Sequence, residues 1–328
     1  MKYDFFADML SIPRQQVYGG EAFPLVLRCS YPEAPLDELT ARIRDCRDEL
    51  DDRLKRHGAI LFRDFPVCTA QDFDIFVSAF NYPVFTFDES LSNAVRANVT
   101  PKVFTANEAP SSFQIMLHHE MAQTPHYPSR LFFFCEISPS SGGATPICRS
   151  DELFRRIQEE EPKFARDCDT KGLRYSHVMP DDDNPQSGMG RSWRSTLSVG
   201  TKEAAEVRLE KLNYTWNWEA GGGLRANTPV LPAVREISPG KKTYFNQLIA
   251  FYAGRDPLKS SNDFTVTHGD GSPLDDHAAS HAVDIAESLT FDVAWQTRDV
   301  ALVDNYLVMH GRRPFEGSRR VLASLVAA

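Results

Sequence analysis

The chain has 328 residues, 42 % hydrophobic and 25 % charged, the composition of a folded globular protein rather than a disordered or fibrous one. Its formal net charge of −9, with no dense Lys/Arg run to offset it, would repel a phosphate backbone and argues against a nucleic-acid partner. No cationic start leads into an apolar run and no stretch of about 18 apolar residues occurs, so a cytoplasmic protein with no membrane partner is expected.

Six cysteines without a C-x-x-C pair read as reduced, mostly buried thiols rather than a disulfide framework or zinc knuckle. The length exceeds the usual size of one domain, yet all-β barrels with helical decoration routinely run past about two hundred residues, so one large core with insertions, a single domain over 1–328, is expected.

In chain order, LDELTARIRDCRDELDDRLKRHG at 36–58 spaces Leu36, Leu39, Ile43, Leu50 and Leu54 for one amphipathic helix stopped by Gly58. AILFRDF at 59–65 predicts a strand, and Thr69 is placed to N-cap a helix behind it. A first β block follows in VFTAN, SFQIMLHHEM, SRLFFFCEI and ATPIC between 103 and 148. The stretch 150–240 has helical patterns at 151–168 and 202–212 separated by polar loops, and is expected to be a mixed insertion that lids a site. A second β block is expected from KTYFNQLIAFYA at 242–253 onward, continuing in LTFDVAWQ, DVALVDNYLVMHG and RRVLASLVA. Strands at both ends of a chain bury their faces economically by pairing into one antiparallel double layer. The expected fold is an all-β core with helices, a double-stranded β-helix (jelly roll) with N-terminal helices and the insertion between its β blocks.

In LHHEMAQTP, side chains two apart on a strand share a face, so His118 and Glu120 would point one way and His119 the other. His310, closing the apolar run DNYLVMHG, is the best-placed third ligand. Two imidazoles and one carboxylate on one side of an iron leave positions open for an oxoacid and dioxygen. Read alone, H-x-E is a common chance match, and a histidine at a strand end is usually a satisfied polar residue. The tail GRRPFEGSRRVLASL adds what a 2-oxoglutarate site needs, a guanidinium for the distal carboxylate, and both Arg319 and Arg320 lie within reach of His310. In SGGATPI, Thr145 supplies a hydroxyl behind two glycines that allow close packing.

Together, HHEMAQTPHYPSRLFFFCEISPSSGGATPI and DNYLVMHGRRPFEGSRRVLASL resemble the taurine dioxygenase (TauD/TfdA) superfamily. The glutamate in the ligand set and the RSW segment resemble its clavaminate synthase-like branch and the syringomycin-type amino-acyl hydroxylases. The resemblance implies a dioxygenase using Fe(II), 2-oxoglutarate and O2. It carries His118, Glu120 and His310 over as iron ligands, Arg320, the second of the paired arginines, as the 2-oxoglutarate clamp, and Thr145 as its hydroxyl partner. It also implies hydroxylation of a small amino-acid-like substrate, free or bound to a carrier protein, with release of succinate and CO2. Glu120, a carboxylate where the superfamily's halogenases carry a small residue, favours oxygen transfer. Arg191 and Arg194, around buried Trp193, and Asn107 and Asn246 are candidate substrate contacts, each weighed against an ordinary loop or turn role. The rival class is a catalytically silent jelly-roll protein binding a metal or ligand, which would not need the Arg and Thr pair.

Overall fold

The computed structural model describes residues 4–327 apart from 7, 86–90, 92–95, 107–108, 184–190 and 256–262. The expected 36–57 helix is two helices, Leu36–Asp45 and Arg47–His57, broken at Cys46 (φ −111°, ψ 19°). The turn lets both helices put aliphatic side chains inward, Leu39 and Ile43 from the first and Leu50 and Leu54 from the second. Gly58 ends the second helix at φ +75°, a conformation only glycine adopts without strain. Thr69 caps the helix Ala70–Ala79 in a reciprocal box with Asp72.

Most strands fall in two sheets. The larger runs Asp8–Met9, Leu25–Arg28, Ala59–Arg63, Val300–Asp304, Arg130–Ile137, Arg320–Val326, Phe104–Thr105. The smaller runs Thr290–Val293, Thr145–Arg149, Val308–Arg312, Ile115–His118. Strands from the early and late β blocks alternate in both sheets: Val300–Asp304 and Arg320–Val326 flank Arg130–Ile137, and Val308–Arg312 lies between Thr145–Arg149 and Ile115–His118.

Period-two alternation then sorts the side chains. On one face of the large sheet Phe62, Phe132, Phe134, Leu302 and Leu322 pack against the N-terminal helices through Leu39, Phe73 and Phe76. On the other face Phe133, Ala301, Val321 and Ala323 meet Ile147, Phe291, Val293 and Val308 of the small sheet. Each fully buried phenylalanine of this double layer contributes roughly 1.5–3 kcal/mol.

The stretch 150–240 holds helices Ser150–Glu160 and Pro162–Lys171, divided by Pro162, and most of a third sheet ordered Thr215–Trp218, Leu224–Asn227, Leu173–Met179, Phe264–His268. That sheet draws its last strand from beyond 240, so the block between the two β halves is longer than expected. KTYFNQLIAFYA is also not the strand expected: only Lys241–Thr243 is extended, and Leu248–Gly254 is a helix. A short apolar run fits a buried strand or helix equally well by period; here the Asn246 Oδ1 accepts from the Leu248 N–H and turns the chain into the helix. Among the described residues no helix is long and apolar enough to cross a membrane.

Candidate metal centre

The strand Ile115–His118 pairs with Val308–Arg312 so that His118 sits directly opposite His310, their rings 4.4 Å apart. Close approach is possible because of Gly311: a Cβ there would lie 2.4 Å from the Ile115 carbonyl oxygen. The strand ends at His118, and the chain turns through Met121 at φ +61°. Glu120 therefore reaches the ligand cluster from a turn rather than from strand alternation. Asn305 fixes that turn, its Oδ1 accepting from Glu120 N at 2.8 Å and its Nδ2 donating to Glu120 O and Pro128 O at 3.0 and 2.7 Å.

One ligand atom from each of His118, Glu120 and His310 lies within 4.8 Å of the other two. The His118 Nδ1 donates to the Met116 carbonyl at 2.8 Å, which leaves Nε2 with its lone pair for a metal. Burial, with the neighbouring His310, pushes His118 down to about 4, so the imidazole is neutral. Burial alone would raise Glu120, but the Arg96 guanidinium and the two imidazoles outweigh it and hold the carboxyl well below its usual range. Arg96 Nη2 donates to Glu120 Oε1 at 2.8 Å, while Oε2 faces His310 Nε2 at 3.6 Å. A neutral imidazole and an ionised carboxylate are the forms that bind a metal, so the donor set fits a divalent ion.

His119 is not in the cluster. It is fully buried, its Nδ1 donating to Asn305 O at 2.6 Å and its Nε2 lying 2.9 Å from Ser150 Oγ; burial pushes it down to about 3.

The three ligands open into a cavity of about 400 Å³ that Arg96, Thr145, Gln247, Arg312 and Arg319 also line. Arg320, the expected clamp, does not face it: its side chain is 45 % exposed and pairs with Glu136 at 2.5 Å. Neighbours at a strand end point to opposite faces, and the inward one is Arg319. Its Nε donates to Gly143 O at 2.9 Å and its Nη2 lies 3.5 Å from Thr145 Oγ1. Thr145 Oγ1 accepts from Trp295 Nε1 at 2.9 Å, leaving its own proton to donate. Gly143, at φ +67°, brings the chain so close that a Cβ would lie 3.0 Å from the Arg319 side chain. Burial pushes the Arg319 guanidinium down to about 10, with Arg312 adding to the effect.

The expected substrate contacts have other uses. Arg191 bonds Ser195, Arg194 bonds the Asp181 carboxylate at 2.6 Å, and Trp193 anchors the same loop through Asp181 at 2.9 Å. Asn246 is buried, donating to Ala233 O at 2.9 Å and turning the next helix. None of these three polar candidates lines the cavity, and Asn107 lies outside the described residues. No described residue of 150–240 lines it either; the wall comes from the helix Leu248–Gly254 just beyond, through Ala250, Ala253 and Gly254. The sequence reading missed Arg96 and Gln247. Gln247 adjoins the Asn246 singled out in YFNQ, whereas Arg96 sits in an unpatterned segment that carries no signal.

The taurine catabolism dioxygenase TauD, TfdA family matches residues 23–325, and the chain belongs to that family. It is thus a non-haem iron dioxygenase dependent on Fe(II), 2-oxoglutarate and O2, as the motifs implied. Among its relatives, a clavaminate synthase-like protein of Arabidopsis thaliana is 38 % identical over 320 residues, 96 % of each chain. The dapdiamide synthesis protein DdaC of Enterobacter agglomerans is 29 % identical over 326 residues, covering 95 % of this chain and 93 % of its own. Of solved structures, PvcB of Pseudomonas aeruginosa superposes with TM-score 0.53 at 13 % identity, and a taurine dioxygenase from Burkholderia xenovorans with 0.51 at 15 %. Each alignment covers 93 % of this chain and 86 % of the other, and both share its fold.

Proposed function

We propose that the protein hydroxylates an unactivated C–H of a small amino-acid-like substrate, free or carrier-tethered, releasing succinate and CO2. In this reading 1–328 acts in the cytoplasm as one oxygenase domain, its two main sheets forming a double-stranded β-helix. His118, Glu120 and His310 hold the iron. Arg319, with the Thr145 hydroxyl, takes the distal carboxylate of 2-oxoglutarate.

The observation that carries the reading is that three candidate ligand atoms and a half-buried guanidinium, that of Arg319, open into one cavity. A structural metal site would close with a fourth protein ligand, whereas three leave room for a bidentate oxoacid and O2. Iron, when bound, supplies the oxidative decarboxylation of 2-oxoglutarate by O2 that is coupled to substrate oxidation. The chain's residues do the rest. Met116 O orients the His118 ring, and Arg96 holds one Glu120 oxygen so that the other faces His310. The buried apolar side chains of Met121 and Phe133 line the cavity and limit water at the reacting centre. The likeness to a dapdiamide synthesis protein supports an amino-acid-like substrate.

The test begins anaerobically: Fe(II) and 2-oxoglutarate together should give a visible charge-transfer absorption that neither gives alone. Amino acids, free and carrier-bound, are then screened aerobically for succinate release matched by a product one oxygen heavier. Absence of the absorption overturns the cofactor reading, and succinate without product across the panel overturns the substrate class.

A further inference from the structure

The cavity holds a cation, Arg96, that the metal site uses through one nitrogen only and the proposed 2-oxoglutarate site does not use. Arg96 is buried, with 9 % of its side chain exposed, and its plane lies over the Phe104 ring at 5.1 Å. It spends Nη2 on Glu120 Oε1. Its Nε is buried with no hydrogen-bond partner, and a guanidinium has five N–H donors in a fixed fork. Leaving such a donor unmet beside an apolar cavity is costly unless a ligand meets it. Arg312, which also lines the cavity, is engaged differently, donating to the carbonyls of Ala109, Pro110 and Phe113 and tying down the loop before the Ile115–His118 strand.

Charge points the same way. Among the described lining residues, three arginines, Arg96, Arg312 and Arg319, stand against one carboxylate, Glu120. The two positive charges of Fe(II) and the two negative charges of 2-oxoglutarate cancel, so loading the cofactors leaves that excess in place. A substrate with no carboxylate would bring no anion to set beside this excess in a low-dielectric cavity. A second unmet group gives the complement: Gln123 Oε1, also lining the cavity, is a buried acceptor without a donor.

We infer that Arg96 is the receptor for a free carboxylate on the substrate. The substrate is then an acid that enters unactivated, with an N–H for Gln123, and not an acyl group held at that carboxyl as a carrier thioester. This rests on the proposed function and decides between its two substrate forms. A carboxylate meets the open Nε–H with a charge-assisted bond. A thioester carbonyl offers one weak acceptor and no charge.

The test measures binding, not turnover. Wild-type enzyme loaded anaerobically with Fe(II) and 2-oxoglutarate is titrated with the proteinogenic L-amino acids, following the perturbation of its charge-transfer absorption. Each acid that binds is compared with its carboxamide and its N-acetylcysteamine thioester, and then with Arg96→Met and Arg96→Lys. The expected result is that acids bind, that the amide and thioester bind about ten- to a hundredfold more weakly, that Arg96→Met loses the discrimination and that Arg96→Lys recovers part of it. Amide or thioester binding as tightly as the acid, no acid binding to wild type, or an Arg96→Met enzyme that still prefers the acid each overturns the assignment. If Arg96→Met fails to retain iron, the acid-to-amide ratio in wild type decides alone. Absence of the absorption before any amino acid is added is instead the failure of the cofactor reading.

Discussion

Replacing Arg319 by alanine tests the cofactor site at its most informative point, because the sequence motif and the fold disagree about which arginine of the pair enters the cavity. Burial has pushed the Arg319 guanidinium from 12.5 to about 10, which at about 1.4 kcal/mol per pKa unit means the empty cavity destabilises its charge by roughly 3 kcal/mol. A carboxylate of 2-oxoglutarate arriving against it offsets part of that cost, less the loss of its own hydration. Removing one partner of such a buried pair costs about 3–5 kcal/mol, a weakening of roughly a hundred- to several-thousandfold in dissociation constant. Arg320→Ala removes only an exposed pair with Glu136, worth at most about 1 kcal/mol to stability, and leaves the cavity untouched. The assay is an anaerobic titration of the Fe(II) enzyme with 2-oxoglutarate, read from the charge-transfer absorption. Expected is a hundredfold or greater weakening in Arg319→Ala and less than about threefold in Arg320→Ala. Equal affinity in wild type and Arg319→Ala, or a defect confined to Arg320→Ala, refutes the assignment.

His118→Ala and His310→Ala each remove one of three protein ligands. Because loss of even an outer-shell partner costs about ten- to a hundredfold in metal affinity, more than a hundredfold weaker iron binding is expected by competition with a chelating dye; retention of wild-type affinity in either would dismantle the triad. Gly311→Ala places a methyl 2.4 Å from the Ile115 carbonyl and should cost about 1–3 kcal/mol in urea unfolding while weakening iron binding, since it parts the strands that carry His118 and His310; unchanged stability and iron affinity would show that the close approach is not required. His177→Phe tests an acid-sensitive position away from the cavity. The His177 Nε2 is buried without a hydrogen-bond partner, and burial, with Arg225 nearby, pushes the ring down to about 4. Below the unfolded value of 6.5 the unfolded chain takes up a proton that the folded one refuses, so stability falls as pH drops from 6.5 towards 4. Wild type should therefore lose about 1–2 kcal/mol more than His177→Phe between pH 7.5 and pH 5, and parallel urea midpoints at the two pH values would exclude this origin.

The candidate cluster was legible only in combination: H-x-E alone is a common chance match, and it was the late His310, the arginine pair behind it and Thr145 that together pointed to a metal beside an oxoacid site. The helix start at Thr69 and the stop at Gly58 were legible because they depend on neighbours three or four residues away. What was lost depends on single-residue register or on contacts distant in sequence. Arg319 and Arg320 are told apart only by where the last strand begins, and that strand is irregular at its first pair, between Arg320 and Val321. Asn246 and Gln247 are separated in the same way, one turning a helix and the other lining the cavity. The apolar LIAFYA fits helix or strand until its neighbours are known. Arg96 acquires meaning only through Glu120, 24 residues later.

The His-x-Glu pair comes together in the fold by a route other than the one its spacing suggests. Alternation along one strand would put His118 and Glu120 on one face, yet the strand stops at His118 and Glu120 belongs to the turn beyond it. What fixes its main chain is Asn305, which grips both the N–H and the carbonyl of Glu120 from the turn between Val300–Asp304 and Val308–Arg312, while Arg96 holds the carboxylate. That turn leads directly into the strand bearing His310. His119 donates to the Asn305 carbonyl, and Gln247 donates to the His119 carbonyl at 2.6 Å. The turn carrying Glu120, the turn leading to His310 and the helix that walls the cavity are therefore joined through buried hydrogen bonds, whose loss in a dry interior is more costly than at the surface. The candidate ligands hold their spacing because the segments that carry them are bonded to one another, and the geometry of the cluster follows from that tertiary network as much as from the motif.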